Sequence, residues 1–273
     1  MLYLCATPIG NFEDITLRVL RVLSEVDVIY AEDTRHSGLL LAKYDIKKPL
    51  ISCHEHNEAE RAAEITERLA NGENIAYISD AGMPCISDPG HRLICECIEK
   101  NVAYTVLPGA SAALTALALS GLATDKFTFF GFLPRSGGER KAAIHDVCNT
   151  DCTCIIYESP NRVHATLSEL KECAGGERMA AVVRELTKIY EEAVRGSLSE
   201  LCTRYEETPP KGECVIVLSA KQEEKATPES VDGMICELLH EGVKAKDVAK
   251  RVAEALCVSK NDVYKRVLEL KGE

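Results

Sequence analysis

The stretch from Ile78 to Gly90 constrains the fold of this chain more than any other part of its sequence. It follows the apolar run Ile75–Ile78 and carries two Ser-Asp pairs, at 79–80 and 87–88, each with Gly or Pro close behind. This pattern predicts a strand that ends in a rigid loop with two carboxylates near the strand's C-terminal end. Open α/β sheets bind ligands at that edge, so we expect a ligand site here. The alternative is an ordinary connection in which Asp88 caps a helix from 91 to 100.

Composition indicates a protein whose cysteines are reduced and whose surface has no broad basic face for nucleic acid. The chain has 273 residues, a net charge of −11 and 13 cysteines, which are scattered, odd in number and without a Cys-x-x-Cys motif. Scattered cysteines inside apolar runs are typical of reduced thiols in a cytoplasmic protein. No apolar run approaches the roughly 20 residues that a membrane-spanning helix needs. We therefore expect a soluble cytoplasmic protein that would meet RNA, if at all, through a local basic patch.

Strands and helices alternate through the first half of the chain. Apolar runs at 2–6, 27–30, 75–78 and 102–107 predict strands, and amphipathic segments between them predict helices, the first capped by Asp14. The loop after the first strand has neither a dinucleotide-binding nor a P-loop glycine pattern. This alternation of strands and helices predicts a mostly parallel α/β domain over residues 1–123.

The second half predicts a mixed sheet followed by helices. Strands are expected at 127–132, 152–157, 179–183, 189–194 and 214–219, with few crossover helices between them, which implies antiparallel pairs. We assign residues 124–220 to this second α/β domain. A polar linker at 221–227 then leads to a helical tail, residues 227–273, with eight Lys or Arg and nine Asp or Glu residues. This tail is predicted either to contact phosphates through its cations or to serve as a packing element.

Three further clusters carry chemistry. Glu32, Asp33 and Arg35 follow the second strand, where they could bind a ligand or cap the next helix with equal weight. Cys53, His54 and His56 lack the spacing of a zinc site, and Asn57 with Glu60 instead predicts a capping box. The basic segment 133–141 is predicted to be a flexible loop that could reach a phosphate backbone.

Six motifs occur in order along the chain. They are Ala6-Thr7-Pro8-Ile9-Gly10-Asn11, Ala31-Glu32-Asp33-Thr34-Arg35, Ser79-Asp80-Ala81-Gly82 with Asp88-Pro89-Gly90, Pro108-Gly109, Glu158-Ser159-Pro160 and Arg184-Glu185-Leu186-Thr187-Lys188. Together they resemble one family, the tetrapyrrole-methylase-like S-adenosylmethionine methyltransferases, in particular the ribosomal RNA small subunit methyltransferase I branch. The resemblance implies two α/β domains, S-adenosylmethionine in the cleft between them, and a homodimer. It also implies 2′-O-ribose methylation of a decoding-centre cytidine in 16S rRNA of the small ribosomal subunit.

The resemblance also implies roles for individual residues. It places the cofactor at Pro8, Asp80, Ala81, Gly82, Ile86, Ser111, Ala112, Tyr157 and Glu158. Methylation of a hydroxyl requires a group that accepts its proton, and the candidates by position are Glu32, Asp33, Asp88, Glu185 and Lys188. The cations expected to face RNA phosphates are Arg35, Arg135, Arg162 and Arg184.

The sequence departs from the tetrapyrrole members of the family in two places. The first loop reads Thr7-Pro8-Ile9-Gly10-Asn11 instead of Gly-x-Gly-Pro-Gly-Asp, and the central loop has Gly82-Met83-Pro84 instead of Gly-Asp-Pro. A cobalamin or sirohaem precursor is therefore the second candidate substrate. A non-enzymatic RNA-binding assembly protein that uses its C-terminal helices is the third alternative, although such a protein has no need of the central loop.

Overall fold

The apolar runs of the first half form a five-stranded parallel sheet in the computed structural model, which describes residues 1–221, 228–256 and 258–271. Its strands are β1 (Leu2–Cys5), β2 (Val28–Ala31), β3 (Leu50–Ser52), β4 (Ile75–Ile78) and β5 (Tyr104–Leu107). Their order across the sheet is β3-β2-β4-β1-β5, with parallel ladders throughout. All four residues of β4 are buried, as expected for a central strand covered on both faces.

Helices cover both faces of this sheet, but three predicted caps are wrong. Thr16, not Asp14, caps the first helix, because its Oγ1 accepts the Val19 N–H at 3.1 Å. Asn57 forms no capping box, since its side chain bonds the His54 N–H and the Ser52 carbonyl instead. Gly90 rather than Asp88 precedes the fourth helix. The helices on this sheet are α1 (Leu17–Glu25), α2 (Thr34–Lys43), α3 (Glu58–Ala70) and α4 (His91–Glu99), and a fifth helix, α5 (Ala112–Ser120), follows β5.

The second sheet is mixed, as predicted. Its strands are β6 (Phe127–Phe132), β7 (Thr153–Glu158), β8 (Met179–Arg184), β9 (Glu192–Ser197) and β10 (Cys214–Leu218). The order is β6-β7-β10-β8-β9, with β6 and β7 parallel and the other neighbours antiparallel. The strand predicted from residue 189 begins only at Glu192, because the Thr187 N–H bonds the Glu191 carboxylate and closes a tight turn.

Three helices pack on one face of the second sheet, namely α6 (Gly137–Asn149), α7 (Val163–Ala174) and α8 (Leu198–Glu207). The segment predicted as a flexible basic loop is therefore helical from Gly137 onward. The physical reason is Arg140, whose guanidinium is buried and bonds the Glu169 carboxylate at 3.0 Å, the Thr166 hydroxyl at 2.9 Å and the Pro134 carbonyl at 3.1 Å. A buried, fully bonded arginine holds the start of α6 against α7.

Replacing Arg140 by Met should lower the free energy of unfolding by about 2–3 kcal/mol, because Thr166 and Pro134 lose a buried donor. For a chain of this size that corresponds to a melting temperature lower by roughly 5–10 °C. Differential scanning calorimetry measures this change in melting temperature. The matched control is Arg135→Met in the same segment, where the side chain is exposed and the expected change is negligible. Equal melting temperatures for the two variants would contradict the role of Arg140.

Helix α5 belongs to the first half by sequence but packs on the second sheet. Its buried residues Ala113, Ala116 and Leu117 form one apolar cluster with strand residues of β7, β8 and β10 and with Ile9 from the loop after β1. Residues Met1–Lys221 accordingly form one compact unit, and Gln222–Glu273 form a second. The division of the first unit into domains 1–123 and 124–220 stays a prediction.

The second unit contains three helices, α9 (Pro228–His240), α10 (Ala245–Ala255) and α11 (Lys260–Lys271). They have a small core of their own, in which Ile235, Val248, Val252, Val263 and Val267 are buried. The predicted polar linker, apart from Lys221, lies outside the described residues. Among the helices that the structure describes, none is long and apolar enough to cross a membrane.

Candidate active site

Two loops meet at the C-terminal edge of the parallel sheet and are locked together. The Thr7 N–H bonds the Gly82 carbonyl at 2.9 Å, and the Gly82 N–H returns a bond to the Thr7 carbonyl at 3.0 Å. The Thr7 hydroxyl also donates to the Ser79 carbonyl. The loop after β1 and the central loop after β4 therefore form one rigid floor, at the edge where the sequence places a ligand site.

The central loop is held in a backbone conformation that most residues avoid. Gly82, Cys85, Ser87 and Gly90 all have φ between +63° and +123°. Such left-handed conformations cost free energy for residues other than glycine and cluster at binding sites. The Glu58 carboxylate anchors the end of the loop by accepting the Gly90 N–H at 2.9 Å. The strained loop is thus fixed at both ends.

A cleft of about 390 Å³ lies between this floor and the second sheet. Small residues of the central loop form one side, α5 begins at another, and the ends of β7 and β10 close it. Phe132 lines the cleft with its side chain 61 % exposed, which leaves an apolar surface for a ligand to cover. The lining residues are Ile9, Ala81, Gly82, Met83, Ile86, Ser87, Asp88, Ser111, Ala112, Phe132, Tyr157, Glu158, Ser159, Pro160, Leu186, Gly212, Glu213, Cys214 and Val215.

Three carboxylates crowd the floor of the site. The Asp33 N–H donates to Asp80 Oδ1 at 3.0 Å, and the Asp80 N–H donates to Glu32 Oε2 at 3.4 Å. Burial, with the negative charges of Glu32 and Asp80, raises the pKa of Asp88 to about 7. Burial also raises the pKa of Glu32. Asp88 is therefore a carboxyl group that exchanges its proton near neutral pH and lines the cleft.

The start of α5 contributes a hydroxyl-rich wall. Ser111 caps the helix, and the Tyr157 hydroxyl accepts the Ala113 N–H at 3.1 Å. Because that bond uses the oxygen as acceptor, the phenolic proton stays available for a ligand. Phe132 packs edge-on against the Tyr157 ring with 5.5 Å between centroids. An aromatic and hydroxyl-bearing wall thus faces the carboxylate floor.

The turn after β8 carries two of the predicted proton acceptors. Lys188 Nζ lies 2.9 Å from Glu185 Oε1 and 2.8 Å from Glu213 Oε2. Burial opposes the charge of Lys188, but these two ion pairs outweigh it and raise its pKa. The hydrogen bond from Lys188 lowers the pKa of Glu185. Both groups are thereby held in their charged forms.

The structure brings most of the predicted cofactor residues together. Ala81, Gly82, Ile86, Ser111, Ala112, Tyr157 and Glu158 all line the cleft, whereas Pro8 and Asp80 line a smaller neighbouring pocket of about 180 Å³. The Glu158 carboxylate is already occupied, since it accepts the Thr166 hydroxyl at 2.7 Å and the Ser159 N–H at 2.9 Å. Its predicted contact with a cofactor stays a prediction.

The four cations predicted to face RNA lie outside the lining of the cleft and the small pocket. Arg35 is exposed and paired with Asp33, and that hydrogen bond lowers the pKa of Asp33. Arg184 is paired with Glu192 at 2.7 Å. Arg162 donates to the Leu133 and Pro134 carbonyls. Arg135 is exposed and forms no ion pair within the part of the chain that the structure describes, so its guanidinium is available for a phosphate.

Several residues of the cleft were missed by sequence reasoning. Leu186 and the segment 212–215 reach the cleft only because β10 pairs with both β7 and β8 in the centre of the second sheet. The one local signal was Gly212, where an added Cβ would collide with Glu185 Oε1. Gly212 also has φ of +82°, which favours glycine, and the Glu185 side chain from the turn after β8 lies against it.

Comparison with known proteins is consistent with this geometry. The model of the tetrapyrrole (corrin/porphyrin) methylases matches residues 1–202, and that of the RsmI C-terminal HTH domain matches residues 225–271. Ribosomal RNA small subunit methyltransferase I of Streptococcus pyogenes serotype M1 is 43% identical over 98% of this chain and 95% of its own length. The enzyme of the same name from Synechocystis sp. is 40% identical over 100% of this chain and 99% of its own.

Solved structures agree on the fold. A cobalt precorrin-4 methyltransferase superposes with a TM-score of 0.60 and 19% identity, over 80% of this chain and 94% of its own. Diphthine synthase superposes with a TM-score of 0.64 and 16% identity, over 81% of this chain and 90% of its own. At such identities the likeness extends to the fold alone. The predicted two-sheet α/β architecture with a helical C-terminal segment is thereby confirmed.

Proposed function

Because the chain belongs to the tetrapyrrole (corrin/porphyrin) methylase family, whose methyl donor is S-adenosylmethionine, we propose that it methylates the 2′-hydroxyl of a decoding-centre cytidine in small-subunit (16S) ribosomal RNA. The observation that carries the choice of acceptor is the match, over nearly the whole chain, to relatives named for small-subunit ribosomal RNA. The Asp88 carboxyl in the cleft supports a hydroxyl acceptor, since an alcohol must lose a proton during methylation.

The residues of the cleft fit S-adenosylmethionine. The volume of about 390 Å³ lies within the range of small-molecule sites. Ala81, Gly82 and Ala112 present backbone with little side-chain bulk, so a nucleoside can approach main-chain N–H and C=O groups. Ile9 and Ile86 supply apolar surface, and the carboxylate floor favours a cationic ligand. When bound, S-adenosylmethionine supplies an electrophilic methyl group on a positively charged sulfur.

Among the five candidates for proton acceptor, Asp88 is the best suited. Its pKa near 7 places the carboxylate form within reach at neutral pH while keeping it basic enough to take a proton at Oδ1 or Oδ2. Asp33 and Glu185 have lowered pKa values and are weaker bases, and Lys188 is held protonated. Glu32 contacts the Asp80 backbone and acts on Asp88 through its charge. We assign Asp88 as the base and Glu32 as a residue that tunes it.

The C-terminal unit is proposed to hold the RNA. Lys246, Lys250 and Arg251 are exposed on α10, and Lys250 Nζ lies 3.9 Å from Glu254 Oε1. Arg266 on α11 is held more closely, by Asp232 at 2.6 Å and by Glu269 at 2.8 Å. The first three cations are therefore better placed for phosphates than Arg266. We further propose that the protein is cytoplasmic, where its free thiols stay reduced, and a homodimer, which light scattering after size-exclusion chromatography measures.

Replacing Lys246, Lys250 and Arg251 together by Ala should weaken binding of the RNA substrate and leave cofactor affinity unchanged. The plot of log affinity against log salt should become shallower by about one for each cation that meets a phosphate. Filter binding across a series of salt concentrations measures this slope. A matched control removes Lys47, Lys126 and Lys171, three exposed cations of the first unit. An equal change of slope in both variants would refute a specific role for α10.

The proposed function is tested with a tritiated methyl donor and mapping of the labelled nucleotide. An acidic protein depends on a shaped target more than on long-range attraction, so assembled small subunits should be methylated much faster than naked rRNA. A tetrapyrrole precursor assayed in parallel tests the second candidate substrate. Label on the precursor and none on ribosomal RNA would overturn the proposal. Stable RNA binding without any methyl incorporation would instead favour an assembly protein.

A further inference from the structure

The small pocket beside the cleft is lined by two serines whose buried hydroxyls have no hydrogen-bond partner within the described part of the chain. Ser37 on α2 is 2 % exposed and Ser79 at the end of β4 is 1 % exposed, and both residues line the pocket. Neither hydroxyl has a hydrogen-bond partner among the residues that the structure describes. A buried polar group without a partner costs free energy, so two such groups at one place are normally satisfied by ordered water or by a bound ligand.

The small pocket adjoins the cleft directly. Ile9, Ala81 and Glu213 belong to the walls of both. Ser79 lines the small pocket, and its side chain is near enough to lower the pKa of Asp88, which lines the cleft, although the two groups do not meet in hydrogen-bond geometry. A group held in the small pocket therefore lies beside both the proposed methyl donor and the proposed base.

The other side of the small pocket opens outward. Gly10, Phe12 and Lys188 belong to its lining and also to that of a wide hollow of about 560 Å³ on the surface. We call this surface feature the outer hollow. Tyr190 lines it with 71 % of its surface exposed, and Phe12 is 43 % exposed. Exposed aromatic rings of this kind stack on unpaired nucleobases. The outer hollow therefore suits a polynucleotide that inserts a single nucleotide into the small pocket.

The size and polarity of the small pocket select among acceptors. About 180 Å³ admits a sugar ring or a single base, and it is too small for a tetrapyrrole macrocycle. Its polar side chains are the hydroxyls of Thr7, Ser37 and Ser79, the carboxylates of Asp80 and Glu213, the His36 imidazole and the Lys188 ammonium. The hydroxyls and carboxylates suit the hydroxyls of a sugar. The Lys188 ammonium is neutralised by Glu185 and Glu213, so it offers little attraction to a phosphate.

We propose that the small pocket is the binding site of the acceptor ribose, and that Ser37 and Ser79 are positioning residues that form hydrogen bonds with its hydroxyls. This inference rests on the proposed function, because it names where the ribonucleotide acceptor is held. The ribose enters from the outer hollow, and its 2′-oxygen is directed toward the cleft, where Asp88 takes the proton.

The test is to replace Ser37 and Ser79 by Ala, singly and together, in the full-length protein. Each lost hydrogen bond should raise the KM for assembled small subunits about fivefold, and the double variant about 25-fold. Cofactor affinity by calorimetry should be unchanged. The melting temperature should be equal to or above that of the parent protein, because the removed hydroxyls have no partner in the protein. Ser24→Ala is the control, since that exposed hydroxyl bonds the Leu20 carbonyl on α1.

The possible outcomes separate this inference from the function on which it rests. If the parent protein is active and its Ser37 and Ser79 variants keep the parental KM, the proposed ribose-binding site is wrong and the methyltransferase assignment is unaffected. A raised KM together with a lower melting temperature and weaker cofactor binding would show that the hydroxyls support the fold, and would also overturn it. A parent protein that methylates neither small subunits nor naked rRNA would overturn the proposed function and this inference with it.

Discussion

Replacing Asp88 by Asn should lower kcat by roughly 100- to 10,000-fold, the usual contribution of a general base. The amide has nearly the shape of the carboxyl group but accepts no proton, so cofactor binding should change much less than kcat. In the parent protein, kcat should rise with pH and level off at or somewhat below pH 7, because the positive charge of the bound cofactor stabilises the carboxylate. The variant should lack this inflection. Steady-state kinetics between pH 5 and 9 measures both effects.

The same substitution should stabilise the protein at high pH. The raised pKa of Asp88 means that the folded state keeps a proton that the unfolded chain loses near pH 4. The free energy of unfolding therefore falls as pH rises from about 4 to about 7, and stays at that lower value above pH 7. The substituted amide has no charge to bury, so Asp88→Asn should gain about 1–2 kcal/mol at pH 8 after allowance for solvent screening, and nothing at pH 4.

Asp125→Asn is the matched control, because Asp125 lies exposed between α5 and β6. It should change neither kcat nor the pH dependence of melting. A loss of activity by Asp88→Asn accompanied by a lower melting temperature at pH 8 would show that Asp88 supports the loop and is not the base. A parental rate for Asp88→Asn would move the role to another group, with Glu32 as the next candidate.

Replacing Gly82 by Val should abolish measurable cofactor binding, with an affinity at least 100-fold weaker. Gly82 lines the cleft, and an added Cβ would lie 3.4 Å from Ile9 Cγ2, so the two further methyl groups of Val must enter the space proposed for the cofactor. The residue also has φ of +82°, where a β-branched side chain is strained by about 2 kcal/mol or more. Calorimetry with S-adenosylmethionine measures the affinity, and thermal melting measures the strain.

Gly72→Val separates these two effects. Gly72 has a similar φ of +91° but no atom within 4 Å of an added Cβ, and it follows α3. Its variant should lose a comparable amount of stability through backbone strain while keeping full cofactor affinity. Full cofactor affinity in both variants would contradict the placement of the cofactor in the cleft. Loss of affinity in both would mean that general destabilisation is the cause.

The sequence by itself determined the order of elements and the location of the site. Continuous apolar runs such as Ile75–Ile78 predict buried parallel strands because both faces of such a strand are covered. Gly, Pro, Ser and Asp after that run fix a loop because their turn preferences are local. Seven of the residues that the family resemblance implied for the cofactor, among them Gly82 and Ser111, line one cleft. Local chemistry and a motif pattern were sufficient for these predictions.

Only the tertiary structure decided which of these groups can do chemistry. The pKa of Asp88 depends on burial and on Glu32 and Asp80, and Glu32 lies on a different loop. Lys188 is held protonated by Glu185 and by Glu213, 25 residues further along the chain. Arg140 looked like part of a basic loop and is instead buried against Thr166. Each outcome comes from the charges and the hydrogen-bond partners that segments distant in sequence provide. Which segments come together depends on which strands are neighbours in the sheets.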